Sequence, residues 1–205
     1  MCGICGQMKF SGFDSSPRCV EKMTASLQRR GPDAQGIFVQ GPVALGHRRL
    51  KIIDLSERAQ QPMVDSQLGL SIIFNGAVYN FAALRKTLEA RGYRFFSTGD
   101  TEVILKAYHA WGQDCVRRLN GMFAFAIYER DGGRLFLARD RLGIKPLYYR
   151  QGPDEFRFAS SLPALIAGGD VAGDIDPVAL HHYMTFHSVV PAPRTILSSV
   201  RKLPP

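Results

Sequence analysis

Two apolar runs, residues 122–128 and 134–138, flank the tripeptide Asp131-Gly132-Gly133. That spacing predicts a β-hairpin, because paired strands joined through a short glycine turn bury both runs locally. The same grammar recurs along the chain. Residues 36–54 read as two strands broken at Gly41-Pro42, residues 1–10 as another, and residues 68–74 as an apolar strand ending at the turn signal Asn75-Gly76. Short strands follow at 147–149 and 156–159.

Helical spacing lies between these groups. Val20, Met23 and Leu27 mark one face over 18–30, stopped by Gly31-Pro32. Asn80 is placed to cap a helix to Arg91, with Leu84 and Leu88 turned inward. Asp100-Thr101 opens a third, carrying Val103, Ile104, Ala107, Tyr108 and Trp111. Strands in hairpins with helices between groups predict an α+β fold of antiparallel sheets with covering helices, not alternating βαβ units. After Ser161 the texture changes to a short helix, a loop, and a helix opened by Asp176-Pro177. The proline-bounded end reads as a break within a longer polypeptide, so the expected division is 1–161 and 162–205.

The 205 residues suffice for one substantial domain, and 45% apolar with 21% charged residues is ordinary for a globular chain. No apolar run nears the roughly 20 residues needed to cross a bilayer, and the start lacks the basic and apolar regions of a secretory signal. No membrane association and a cytoplasmic location are expected. The net charge is +8, but the basic residues are scattered in short clusters without a nucleic-acid motif, so no nucleic-acid partner is expected. Cys2, Cys5, Cys19 and Cys115 are too sparse for a disulfide framework. The C-x-x-C at Cys2 and Cys5 lacks the further ligands that a zinc site needs, so no metal is expected. Cys5 reads as a small buried strand residue.

Cys2 is different. Removal of Met1, favoured by a small second residue, gives Cys2 a free α-amine. With a pKa of about 7.7–8.0, that amine accepts a proton near neutrality. One residue then holds nucleophile and base, as in enzymes with an N-terminal threonine.

Eight ordered stretches share this context: M-C-G-I-C-G; R-R-G-P-D at 29–33; G-H-R-R-L-K-I-I-D-L-S at 46–56; Q-P-M at 61–63; N-G-A-V-Y-N at 75–80; G-D-T-E-V-I-L at 99–105; L-N-G-M-F-A-F-A-I-Y at 119–128; and R-D-R-L-G-I-K-P-L-Y-Y at 139–149. In these the chain resembles class II glutamine amidotransferases, which are N-terminal-nucleophile hydrolases, and in particular the glutaminase half of asparagine synthetases. The resemblance implies the four-layer αββα sandwich and hydrolysis of glutamine through a Cys2 thioester. It implies an oxyanion held by the Asn75 side chain and the Gly76 N–H, with Arg49 for the substrate carboxylate and Asp100 for its ammonium. Ile53 and Gly99 complete the substrate pocket. Alternation along the strand favours Arg49 over Arg48 for the pocket face.

The implied partners are glutamine and a synthetase domain that spends ATP with magnesium on an acceptor. No pyrophosphate-binding loop of the S-G-G-x-D kind occurs in these residues, and the glutaminase step itself needs no cofactor. A homodimer is compatible with the resemblance. Ala77 departs from it, standing where many relatives carry Glu near the substrate amine, so weaker glutamine binding is expected. Arg139, Asp140 and Arg141 are expected to form ion pairs between layers. An acceptor other than aspartate, or a regulatory domain with vestigial chemistry, are the alternatives.

Overall fold

Side chains alternate across a strand, so a strand covered on both faces must find two partners. In the computed structural model, which describes residues 1–10, 15 and 17–205, two stacked sheets solve this. The six-stranded sheet is built from β1 (Gly3–Lys9), β2 (Ala34–Gln40), β3 (Val43–Arg49), β8 (Tyr148–Gln151), β9 (Glu155–Ala159) and β10 (Arg201–Lys202), ordered β10-β8-β9-β1-β3-β2. The four-stranded sheet is β4 (Met63–Asp65), β5 (Leu70–Val78), β6 (Gly121–Glu129) and β7 (Arg134–Arg139), in that order. Every pairing is antiparallel.

Three apolar clusters fill the three gaps between layers. Ile4, Val43, Leu45, Ile73, Ala124 and Phe158 meet between the sheets. Cys5, Val20, Met23, Ala44 and Leu165 meet beneath α1 (Pro17–Ser26) and α4 (Leu162–Ala167). Phe74, Leu88, Ile104, Phe123 and Phe125 meet beneath α2 (Phe81–Glu89) and α3 (Asp100–Trp111). Each fully buried side chain of this size contributes roughly 1.5–3 kcal/mol of transfer free energy. The result is the expected αββα sandwich. Close approach beneath α1 depends on Gly46, where an added Cβ would lie 2.1 Å from Thr24 Oγ1 and 2.9 Å from Cys5 Sγ.

Two sequence expectations are corrected. Asn75-Gly76 is not a turn, because β5 runs straight through both residues, opposite Ala124 and Phe123 of β6. A Cβ on Gly76 would lie 2.1 Å from Met122 O, so this glycine serves the close approach of β6 and not a reversal of the chain. The ion pairs expected at 139–141 are replaced by backbone contacts. Asp140 accepts the N–H groups of Phe123, Leu142, Ile144 and Lys145, while Arg139 and Arg141 donate to carbonyls. One of those carbonyls is Leu203 O, 2.7 Å from Arg139 Nη1, which fastens the last strand to the 139–147 loop. Beyond α5 (Pro177–Thr185), Val200 is buried in the cluster beneath α1, and β10 pairs with β8. Among the described residues no helix is long and apolar enough to cross a membrane.

Candidate active site

Strand parity delivers residues from three strands to one end of the gap between the sheets. On β3, Val43 and Leu45 face that gap, so His47 and Arg49 do as well, while Arg48 turns outward to donate to Thr24 O at 3.2 Å. Ile4 faces the gap from β1, and Cys2 shares its parity just ahead of the strand. The register pairs Gly3 with Arg48, which sets Cys2 beside Arg49. From the facing sheet, Ile73 gives the parity of Asn75 and Ala77. A cavity of about 190 Å³ opens where these meet.

The floor of the cavity is an unpaired edge of β5. Phe123 spends its N–H and C=O on Asp140, on the β7 side, so its β5 partner Gly76 points its own amide away from β6. Phe74, Gly76 and Val78 therefore share the free edge, beyond the end of short β4. Side chains cap its neighbours: Gln61 Oε1 accepts Phe74 N–H at 2.6 Å, His47 Nε2 donates to Phe74 O at 3.2 Å, and Asp100 Oδ2 accepts Val78 N–H at 3.0 Å. Between these capped groups the Gly76 N–H faces the cavity. Asn75 is 1% exposed, and among the described residues its Nδ2 has no partner. A buried, unsatisfied donor costs about 1–3 kcal/mol. Its position beside a second directed N–H marks a place for a negative oxygen.

The charged groups are held from behind. Arg49, 3% exposed, donates to Ser56 O at 3.0 Å and to Asp54 O. Asp54 adopts φ 49, a left-handed conformation unusual outside glycine, while its carboxylate binds Ser56 and the Thr98 N–H. Those bonds hold its carboxyl far below the usual range and tie the loop after β3 to the approach to α3. Gly99 is the N-cap of α3 and Asp100 its first helical residue. Burial raises the Asp100 carboxyl pKa, opposed by the N–H groups of Val78, Asp100 and Thr101. Burial likewise pushes the Cys2 thiol up, against the Leu50 N–H at 3.3 Å and the charges of the chain terminus and Arg49. A thiol raised in this way is protonated at neutral pH and needs a base before it can attack.

All seven residues singled out in the sequence, Cys2, Arg49, Ile53, Asn75, Gly76, Gly99 and Asp100, line this one cavity. Sequence reasoning assigned no role to Gln61, Thr101, Met122 or Lys145, which line it as well. Gln61 braces the β5 edge while donating to Thr101 Oγ1 at 3.2 Å. Gln61 and Lys145 sit inside stretches that carried the resemblance, but no spacing rule turns either residue inward.

Comparison with known proteins agrees with the geometry. A family model described as a glutamine amidotransferase domain matches residues 1–205. The chain is 41% identical over 183 residues to asparagine synthetase (glutamine-hydrolyzing) 3 of Bacillus subtilis, covering 88% of this chain and 30% of that protein. It is 37% identical over 226 residues to a putative asparagine synthetase of Methanocaldococcus jannaschii, covering 99% of this chain and 42% of that protein. The chain thus spans about a third of the length of such relatives. Among solved structures, the glutamine phosphoribosylpyrophosphate amidotransferase of B. subtilis superposes with a TM-score of 0.69 at 24% identity, covering 82% of this chain and 44% of that one, which bears on fold alone. The shared sandwich, and a family match running the length of the chain, place this protein among the class II glutamine amidotransferase domains.

Proposed function

We propose that this domain hydrolyses glutamine to glutamate and ammonia once Met1 is removed. The orphaned Asn75 carboxamide beside the free Gly76 N–H, facing Cys2 across the cavity, carries this reading. The Cys2 amine takes the thiol proton, and sulfur attacks the side-chain carbonyl carbon of glutamine. The resulting oxyanion sits between Asn75 Nδ2 and the Gly76 N–H. The amine's proton passes to the leaving nitrogen, the C–N bond breaks and ammonia departs. Water then adds to the glutamyl thioester, its proton returning through the same amine as the C–S bond breaks. Arg49 takes the substrate carboxylate and Asp100 its ammonium. These opposed charges fix which end of glutamine reaches Cys2.

The ammonia is destined for an ATP-dependent, asparagine-synthetase-like domain outside this chain, with residues 162–205 as the connection to it. Among the described residues no group of three His, Cys, Asp or Glu is placed to hold a metal ion, and no step here passes through ATP or magnesium. Intact-mass analysis of the N-terminus with an ammonia-release assay tests the reading. Processed protein should turn over glutamine, Cys2→Ala should release none, and Asn75→Ala should lose roughly 10²–10³ in kcat. Ammonia release by Cys2→Ala at the wild-type rate would refute the mechanism.

A further inference from the structure

Lys145 is the one residue of the cavity wall whose charge the reaction above leaves unused. It is 4% exposed, and its neighbours Asp140 and Arg139 are both committed to backbone groups. Among the described residues its ammonium has one hydrogen-bond partner, Met1 Sδ at 2.9 Å, and forms no salt bridge. A thioether is a weak acceptor, so a buried ammonium is poorly satisfied by it. Met1 is the residue whose loss the proposed function requires. When it leaves, Lys145 loses that contact, and its cation remains in the wall of the cavity that Cys2 also lines. A second cation lies close. Arg30 Nε donates to the Cys2 carbonyl at 3.1 Å, and its buried Nη2 has no partner among the described residues.

We propose that Lys145 is a positioning residue for the nucleophile: its ammonium, uncovered by the departure of Met1, keeps the Cys2 α-amine neutral and able to accept the thiol proton. The sign follows from electrostatics. A nearby cation disfavours a protonated amine and favours a thiolate. At neutral pH more of the amine is therefore free to take a proton and the thiol releases its proton more readily, while the amine holds that proton less strongly before passing it on. The groups facing this pair are few. Around Lys145 they are Arg30, Asp140 and the Cys2 thiol, and around Cys2 they are Arg30, Arg49 and Asp100. Burial and Arg30 lower the Lys145 pKa, while Asp140 and Cys2 help to retain its proton. The inference rests on Cys2 acting as an N-terminal nucleophile.

The test uses the full-length protein with Met1 removal verified by mass. In Lys145→Met, which keeps the length of the side chain, the acid limb of the kcat/KM profile for glutamine should move up by about one pH unit. That shift is a loss of about tenfold below the limb, with near wild-type rates above it. Lys145→Arg should restore the wild-type limb, which a purely structural role would not require. Asp100 also titrates on the acid side, so the amine is followed directly by nitrogen NMR of ¹⁵N-cysteine-labelled wild type, a measurement independent of whether the variants fold. It should titrate below the ordinary α-amine range of about 7.7–8.0. A wild-type amine titrating within or above that range overturns the proposal, as does an unmoved limb in active Lys145→Met. If the processed wild type releases no ammonia, the Cys2 reading itself falls.

Discussion

Ala77 shows what one side chain decides in this cavity. It lines the wall two residues beyond Asn75, on the face of β5 that looks toward Cys2 and Arg49. On the proposed function, a methyl group there gives the substrate ammonium nothing, leaving Asp100 as the carboxylate of the cavity lining. An Ala77→Glu variant should therefore lower the KM for glutamine by about two- to tenfold, the worth of one charge-assisted hydrogen bond, with little change in kcat. Steady-state ammonia release checks it, and an unchanged or raised KM counts against it. At this scale the sequence discloses placement where it is local: alternation along β3 turns Arg49, and not Arg48, into the cavity. Asn75-Gly76 was misread because the dipeptide favours turns in isolation, whereas its place in the sheet is set by the backbone of β6 pressing on Gly76. Asn80 does occupy the N-cap of α2, but its carboxamide bonds Arg118 O and the Asn120 N–H and caps no helical amide.

The edge of β5 beyond β4 is the element on which the site is built. An unpaired edge needs its backbone groups satisfied. Here the caps come from three separate segments of the chain, and the amide left between them is the one proposed to do chemistry. His47 is the cap from the opposite sheet. It is fully buried, with Nδ1 unpartnered among the described residues, and burial pushes its pKa down to about 3. The unfolded chain binds that proton from about pH 6.5 downward while the folded chain refuses it. Stability from this residue is therefore intact above about pH 6.5 and falls as pH drops toward 3, by up to about 1.4 kcal/mol per unit. His47→Gln keeps a donor without the titration, so denaturant unfolding at pH 4 and pH 7 should show a smaller difference than in wild type. An equal difference would contradict the assignment. None of this edge was legible from sequence, since capping by Gln61, His47 and Asp100 joins residues up to 53 positions apart that share no local pattern.

Across the whole molecule, the hairpin-and-helix grouping disclosed the layers, but not which strand lies beside which. The neighbours of β1 are β3 and β9, and the latter pairing brings Cys5 opposite Ala159. The segment after 161 takes part in the same packing, since Leu165 and Val200 are fully buried with Val20 and Met23. Leu165→Ala should cost about 2–5 kcal/mol in equilibrium unfolding, while leaving the cavity chemistry intact. A loss below about 1 kcal/mol would mean that this layer is not part of the cooperative unit. The contact between Met1 and Lys145 has a consequence for the timing of activity. On the proposed chemistry, cutting one peptide bond both takes Met1 out of the cavity wall and frees the Cys2 amine. Such a fuse burns once: a molecule primed in this way cannot be reset.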